Sequence, residues 1–296
     1  MIVSASYRTD IPAFYGRWFM NRLSAGSCRV VNPYGGPVSE VDLRPGAVDG
    51  FVFWTRNAGP FMAALDEIEL RGFPFLVQYT VTGYPRALDA STIAAEAAIA
   101  QMTTLAGRFG PRAVVWRYDP IMVSSATPPD WHIENFAGLA RALQGATDEV
   151  VMSFAQIYRK TRRNLDAAAS RHGFTWLDPH EGEKRTLLAQ LAAIAADHGM
   201  TATLCTQPYL LGSGLTPARC VDAARISDVA GHAIAAPEKG NRPGCLCSQS
   251  RDIGAYDTCP HGCAYCYAVR SPALARRKFK RHDEYAIILG GQELNT

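Results

Sequence analysis

The stretch FPFLVQYTV, residues 73–81, indicates the fold class because it is apolar at nearly every position. A strand that is apolar on both faces is typical of a parallel sheet covered by helices on both sides. The same pattern recurs in five other runs, which are IVSA (2–5), FVFW (51–54), AVVWRY (113–118), EVVMSF (149–154) and ATLC (202–205). The sequence therefore predicts six buried strands.

Helical patterns lie between these runs. They predict a helix from Ser91 to about Phe109, one capped by Asp130, one over residues 183–198, and one that begins at Thr216-Pro217. Strands that alternate with helices form right-handed βαβ units and a parallel sheet. About six units fit the length, so we expect an α/β fold with a (β/α) barrel or partial barrel, and a doubly wound open sheet as the alternative.

The chain is expected to divide into two segments. Residues 1–234 are predicted to form the barrel-like domain, with a hairpin insertion near 28–43 that turns at Tyr34-Gly35-Gly36. The polar, turn-rich stretch AAPEKGNRP (235–243) begins the second segment. Residues 235–296 are predicted to be a cysteine-rich segment with a basic tail, packed on the barrel.

Composition and charge limit the class of protein. The chain has 296 residues, 48% of them hydrophobic, and a net charge of +3, which is too small to indicate a polyanionic partner. No apolar run approaches the roughly 18 to 20 residues that span a bilayer, and the N-terminus lacks a secretory-signal pattern. We therefore expect a cytoplasmic protein without membrane contact. Its eight cysteines are then expected to be ligands, catalysts or buried thiols.

Polar residues follow the predicted strands. Because the carboxyl ends of parallel strands meet at one face, these residues predict a pocket there. The catalytic candidates are Arg8, Asp10, Arg117 and Asp119, and the cofactor-binding candidates among them are Arg56, Asn57 and Gln78. The mixture of charges suits a zwitterionic cofactor or a polar substrate. An internal ion pair between Arg117 and Asp119 is the alternative for those two residues.

Three cysteines are concentrated in CPHGCAYC, residues 259–266. Gly262 allows a tight turn, and the short spacers bring the three thiols close together. Thiolates select zinc, copper(I) or iron–sulfur clusters. A structural zinc site needs a fourth ligand, which Cys245, Cys247 or His261 could supply. An iron–sulfur cluster held by three cysteines instead leaves one iron open to a small molecule, and both possibilities stay open at this point.

The cysteine spacing, with an aromatic residue before the last cysteine, resembles the signature of radical S-adenosylmethionine enzymes, and CPHGCAYCYA is especially similar to the spore photoproduct lyase branch. The resemblance implies a 4Fe–4S cluster on Cys259, Cys263 and Cys266, with Tyr265 beside it, in a partial barrel. It also implies that S-adenosylmethionine binds the unique iron and is cleaved to a radical. In those enzymes the cysteine loop follows the first strand, whereas here it follows the last unit.

The chain as a whole is similar to the family called domain of unknown function 1848. The matching pieces are SYRTDIPAFY (6–15), VDGFVFWTRN (48–57), VWRYDPI (115–121), SFAQIYRK (153–160) and CLCSQSRDIGAYDTCPHGCAYCYA (245–268). This resemblance spans nearly the whole chain. It implies no particular reaction.

The remaining cysteines and the tail leave alternatives open. Cys205, Cys245 and Cys247 could hold a second cluster, complete the first site or be reduced structural thiols, whereas Cys28 and Cys220 are interpreted as small buried hydrophobic residues. The basic run is either a solvated helix face or a contact for an anionic partner, and it comprises Arg276, Arg277, Lys278, Lys280 and Arg281.

Two functions follow from these patterns. The first is an iron–sulfur redox enzyme that acts on a polar small molecule or nucleotide by radical S-adenosylmethionine chemistry, with a reductant such as a flavodoxin or ferredoxin. The second is a non-enzymatic zinc or iron–sulfur binding module, associated with nucleic acid through its basic tail.

Overall fold

An eight-stranded, entirely parallel sheet forms the centre of the computed structural model, which describes residues 1–33, 35–212 and 214–291. The order across the sheet is β10-β1-β4-β5-β6-β7-β8-β9. In chain order these strands are β1 (Ile2–Ala5), β4 (Gly50–Thr55), β5 (Phe75–Thr80), β6 (Val114–Ile121), β7 (Glu149–Phe154), β8 (Thr201–Leu204), β9 (Thr216–Pro217) and β10 (Ser250–Asp252). The predicted α/β fold with a parallel sheet is confirmed, and the six predicted strands correspond to β1 and β4–β8.

The sheet does not close into a barrel. Its outer strands, β10 and β9, pair with β1 and β8 respectively, and no pairing joins them within the described residues. The two strands have three and two residues, so the sequence pattern gave no sign of them. The prediction of a helix beginning at Thr216-Pro217 is wrong, because these residues form β9.

Helices pack on both faces of the sheet, and most of them pack on the same face. They are α1 (Ile11–Phe14), α2 (Gly16–Ala25), α3 (Met62–Leu70), α4 (Ala95–Phe109), α5 (Pro129–Ala142), α6 (Arg159–His172), α7 (Glu181–Asp197), α8 (Ala223–Ala230) and α9 (Pro272–Lys280). Short 3-10 turns occupy Gly59–Phe61, Pro111–Ala113 and Pro208–Leu210. No helix in the described part of the chain is long and apolar enough to cross a membrane.

Two predicted helix starts are corrected. The helix expected from Ser91 begins at Ala95, and the backbone N–H of Ser91 instead donates to the carbonyl of His261 at 2.9 Å. Asp130 lies inside the first turn of α5 rather than at its cap, because the proline at position 129 already occupies the first helical position. Both differences shift a helix start by a few residues and leave the fold unchanged.

Strand β4 shows why the apolar runs are continuous. Phe51 and Phe53 pack on one face of the sheet, where both rings contact Phe19 of α2 at centroid distances of 5.3 Å. Val52 points to the other face and joins a second buried cluster that includes Ile226 of α8. Each strand therefore buries alternate side chains in two separate layers, and both layers must be apolar.

The segment predicted to be a hairpin insertion contains two paired strands. Strands β2 (Ser27–Val30) and β3 (Ser39–Asp42) pair antiparallel, with Cys28 opposite Val41. Of the turn predicted at residues 34–36, Tyr34 lies outside the described residues. The backbone N–H of Arg29 donates to the carbonyl of Ile287 at 2.9 Å, so the end of the described chain packs along the hairpin.

Candidate functional site

A cavity of about 1170 Å³ lies at the carboxyl ends of the strands. Residues that follow β1, β4 and β8 border it, together with Arg117 and Asp119 of β6 and the cysteine loop, residues 259–266, which comes after β10. The cavity also reaches Met1 and Asp49, which precede β1 and β4. The predicted site residues that border it are Arg8, Asp10, Arg56, Arg117, Asp119, Cys205, Cys245, Cys247, Cys259, Cys263, Tyr265 and Cys266. Residues far apart in the sequence therefore share one cavity.

Asn57 and Gln78 do not border this cavity. The side chain of Asn57 accepts a 2.9 Å hydrogen bond from the amide of Gln101. Gln78 is buried beneath the cavity wall, where its amide donates to the carbonyl of Cys220 and its oxygen accepts from the Arg117 guanidinium. Their predicted role as direct cofactor contacts is therefore corrected, because both side chains are used in local packing.

The cysteine loop is bound to the segment that follows β5. The backbone N–H of Ala264 donates to the carbonyl of Leu88 at 2.8 Å, and Cys263 forms an antiparallel bridge with Asp89. Gly262 has a φ of +76°, a conformation that a residue with a side chain adopts only at a cost. The tight turn expected at this glycine is thus present, and it directs the three thiols toward the cavity.

Asp10 fixes the loop to the first strands. Its carboxylate lies 2.7 Å from Nε2 of His261, accepts the backbone N–H of Arg56 at 2.8 Å, and caps α1 through Ala13. These contacts use both carboxylate oxygens. Asp10 therefore holds β1, β4 and the cysteine loop in one arrangement.

A buried triangle of Arg56, Asp89 and Tyr265 joins the strand ends to the loop. Arg56 donates to Asp89 at 2.8 Å and to the hydroxyl of Tyr265 at 2.6 Å, and that hydroxyl donates to Asp89 at 2.6 Å. Asp89 and Tyr265 are both buried, and burial raises the pKa of the Tyr265 hydroxyl well above its ordinary value. The hydroxyl is therefore a neutral donor between two charged groups.

A second buried ion pair joins the segment after β1 to the neighbouring strand β10. Arg8 donates from Nε to Asp252 at 2.8 Å, and the side chains are 8% and 4% exposed. Asp252, the last residue of β10, also accepts hydrogen bonds from the hydroxyls of Ser4 and Ser6. Asp252 and Asp89 were missed in the sequence, where nothing distinguishes them from other acidic residues.

The three cysteines of the loop are half-buried and border the cavity. This burial raises the pKa of Cys259 to about 12, and it also raises the pKa values of Cys263 and Cys266. The sulfur of Cys266 accepts the backbone N–H of Ala268 at 3.3 Å. Without a metal the thiols are protonated at neutral pH, so metal binding would release their protons.

Arg117 lies beside a second group of thiols that also border the cavity. Its guanidinium pairs with Asp119, as the alternative interpretation of the sequence expected, and stacks over Trp54 at 4.9 Å. It also lies 3.0 Å from the sulfur of Cys220, which is itself 3.6 Å from the sulfur of Cys205. Cys220 is buried as expected, but its contact with other functional groups was not predicted.

Cys245 and Cys247 also border the cavity, as Cys205 and Cys220 do. A hydrogen bond from Cys247 lowers the pKa of the Cys245 thiol to about 6. Within the described ranges, no group of three or more His, Cys, Asp or Glu side chains is arranged to hold a metal ion.

Helices α6 and α9 form a basic surface next to the cysteine loop. Arg163 and Asn164 of α6 donate to the carbonyls of Arg270 and Val269, which precede α9. The exposed arginines of α6 are Arg159, Arg162, Arg163 and Arg171, and the exposed cations of α9 and of the residue after it are Arg276, Arg277, Lys280 and Arg281. The basic run of the sequence is thus only one half of a larger surface, and its other half was missed because α6 is distant in the chain.

Fold and site define an α/β protein whose parallel strands end at a charged, cysteine-lined cavity. The chain belongs to the family described as Domain of unknown function (DUF1848), whose model matches residues 2–268. This match includes the cysteine loop and ends before α9. No curated protein and no solved structure gave a significant match.

Proposed function

We propose that this protein is an iron–sulfur redox enzyme that uses S-adenosylmethionine on a polar small-molecule or nucleotide substrate. One observation carries the proposal: Cys259, Cys263 and Cys266 border the same cavity as the charged residues at the strand ends. Three thiols leave one iron of a 4Fe–4S cluster without a protein ligand. A polar cofactor at that position would lie within a cavity that already holds several charges.

The order of the sheet supports the resemblance to radical S-adenosylmethionine enzymes. Those enzymes have their cysteine loop after the first strand, and here the loop follows β10. Since β10 lies beside β1 at the edge of the sheet, a chain that began at β10 would cross all eight strands in sequential order. The late position of the loop in the sequence therefore corresponds to the first position in the sheet.

Three thiolates are the donor type that an iron–sulfur cluster requires. Binding would have to draw them together, because no three described His, Cys, Asp or Glu side chains are arranged to hold a metal. Cys259, Cys263 and Cys266 would be its ligands, and the N–H···S bond to Cys266 is of the kind that stabilises cluster sulfurs. When bound and reduced, such a cluster supplies the electron that cleaves S-adenosylmethionine. The buried Arg56–Asp89–Tyr265 triangle keeps the loop in place, so a reaction at the strand ends would occur in a fixed geometry.

The four residues predicted to be catalytic are assigned different roles. Arg8 and Asp10 have their polar atoms engaged with Asp252 and His261, so they act as positioning residues. Arg117 and Asp119 lie at the cavity wall, where the guanidinium suits a carboxylate or phosphate of the substrate.

The basic surface of α6 and α9 suits an acidic electron donor such as a flavodoxin or ferredoxin. It adjoins the cysteine loop through the contacts of Arg163 and Asn164. Complementary charge would bring the donor close to the cluster and speed its encounter with the enzyme. The same surface also suits a nucleic-acid backbone, which favours the second candidate function, a non-enzymatic zinc or iron–sulfur module.

Metal analysis after anaerobic purification tests the proposal. We expect iron with matching sulfide, and the variants Cys259→Ala, Cys263→Ala and Cys266→Ala should each lose the iron of one cluster. Cys28→Ala is the matched control, because this buried cysteine does not border the cavity. Full iron in all three loop variants would refute the assignment, and stoichiometric zinc without sulfide would favour the module.

A further inference from the structure

Four cysteines from three separate segments border the same cavity as the cysteine loop. Cys205 follows β8, Cys220 follows β9, and Cys245 and Cys247 precede β10. The sulfurs of Cys220 and Cys205 are 3.6 Å apart. Cys205, Cys220 and Cys247 belong to one buried side-chain cluster, and Cys245 packs against it. The four thiols are therefore one contiguous group, which we call the second thiol group.

The backbone around the second thiol group is closely packed. The N–H of Val221 donates to the sulfur of Cys247 at 3.3 Å, and the carbonyl of Cys247 accepts the N–H of Lys239 at 2.9 Å. A Cβ at Gly240 would lie 2.0 Å from the carbonyl oxygen of Cys245, so only glycine fits there. The segment that holds Cys245 and Cys247 is thus fixed against the segment that holds Cys220.

The charge around the second thiol group is positive. Arg117 donates to Cys220 at 3.0 Å and Arg242 to Cys205 at 3.6 Å. Asp119 pairs with Arg117. In the described part of the chain, no carboxylate forms an ion pair with Arg242, so one cation beside the thiols is unbalanced. A centre of four thiolates and a divalent metal or a 2+ cluster core carries a net charge of −2, which this surrounding stabilises.

We propose that Cys205, Cys220, Cys245 and Cys247 hold a second metal centre, distinct from the cysteine loop, that takes a thiophilic metal as an iron–sulfur cluster or as zinc. The side chains that are still thiols would release their protons to solvent as four metal–sulfur bonds form, and the four resulting thiolate ligands would leave no open position. The side chains are not preassembled around an ion, so rotation of the thiols would accompany binding. The centre would serve structure or electron transfer rather than substrate binding.

Replacing the three cysteines of the cysteine loop allows metal binding by the second thiol group to be measured alone. The starting protein is the full chain with Cys259→Ala, Cys263→Ala and Cys266→Ala, loaded anaerobically either with ferrous iron and sulfide or with zinc alone. We expect one bound centre per chain in one of the two loadings, and its loss when Cys220→Ala and Cys247→Ala are added. Adding Cys28→Ala instead should leave the bound metal unchanged.

A spectroscopic measurement tests the second thiol group without the added Cys220→Ala and Cys247→Ala changes, which could themselves disturb folding. Cobalt(II) added to the loop triple variant should give the intense sulfur-to-cobalt charge-transfer bands and tetrahedral ligand-field bands of four thiolates. Retention of iron with sulfide identifies a cluster, and retention of zinc alone identifies a structural site; both support the proposal. It is overturned if the triple variant binds neither metal and cobalt shows no thiolate bands. Such a negative result would not bear on the cluster proposed for the cysteine loop, because that cluster is tested in the chain that keeps its loop cysteines.

Discussion

Arg56 donates a 2.6 Å hydrogen bond to the hydroxyl of Tyr265, and this contact joins the end of β4 to the cysteine loop. Asp89 closes the triangle by accepting from both residues. A buried guanidinium is stable only while its charge is balanced. The position of the loop over the strand ends therefore depends on one carboxylate that follows β5.

Replacing Asp89 should destabilise the fold strongly. Asp89→Asn keeps the shape but leaves Arg56 without a counter-charge, and we expect a loss of roughly 3 kcal/mol in the free energy of unfolding. Tyr265→Phe removes only a hydroxyl and should cost about 1–2 kcal/mol. Chemical denaturation of the metal-free chain measures both values.

Asp66→Asn is the control for these variants. Asp66 pairs with Arg108 at the surface, with side chains 45% and 39% exposed, so its loss should change stability by less than about 1 kcal/mol. If Asp89→Asn and Asp66→Asn proved equally mild, the buried triangle would not hold the loop.

His132 should make stability depend on pH. It is buried, with Nδ1 accepting from the Tyr118 hydroxyl and Nε2 donating to the carbonyl of Met122. Burial lowers its pKa from 6.5 to about 4. Between these values the unfolded chain binds a proton and the folded chain does not, so stability should fall as pH drops from 6.5 to 4. At about 1.4 kcal/mol per pH unit, the loss is roughly 3 kcal/mol.

The matched variant for the pH effect is His132→Gln, which keeps hydrogen-bonding capacity without a titrating group. Its free energy of unfolding should be lower at pH 8 but should change less than that of the wild type between pH 6.5 and 4. Parallel pH profiles for the two proteins would contradict the assignment of this loss to His132.

Charge reversal on α9 should weaken the electron donor's approach. We expect Arg276→Glu with Arg277→Glu to slow reduction by a reduced flavodoxin or ferredoxin about tenfold at low salt, and the difference should shrink at high salt because salt screens exposed charges. Stopped-flow absorbance of the loaded protein measures the rate. Arg141→Glu, at an exposed arginine of α5 outside this surface, is the control. Equal rates for all three proteins would refute a donor site here.

Hydrophobic periodicity allowed the longer strands to be predicted from the sequence. Strands that are defined only by their pairing with a neighbour were missed. Strands such as β5 and β7 were found because both faces are apolar over several residues. The short edge strands β9 and β10 were missed, since two or three residues give no pattern and their pairing to β8 and β1 defines them. Because these edge strands were not predicted, the sequence could not show that the sheet stays open instead of closing into a barrel.

The candidate site was predicted in its general position but not in its internal contacts. Strand-end residues such as Arg8 and Arg117 share the cavity because parallel strands bring their carboxyl ends together. The acids Asp89 and Asp252 and the thiol of Cys220 obtain their partners only through tertiary contacts. Spacing along the chain could not identify these residues, and it could not exclude Asn57 and Gln78.

The electron paramagnetic resonance spectrum of the reduced, cluster-loaded protein, recorded with and without S-adenosylmethionine, tests the central claim most directly. An open iron in the cysteine loop predicts that the cofactor changes the spectrum and that 5′-deoxyadenosine and methionine are released. The variant with Cys259→Ala, Cys263→Ala and Cys266→Ala should show neither effect. An unchanged spectrum and no cleavage from a fully loaded wild-type protein would contradict the account.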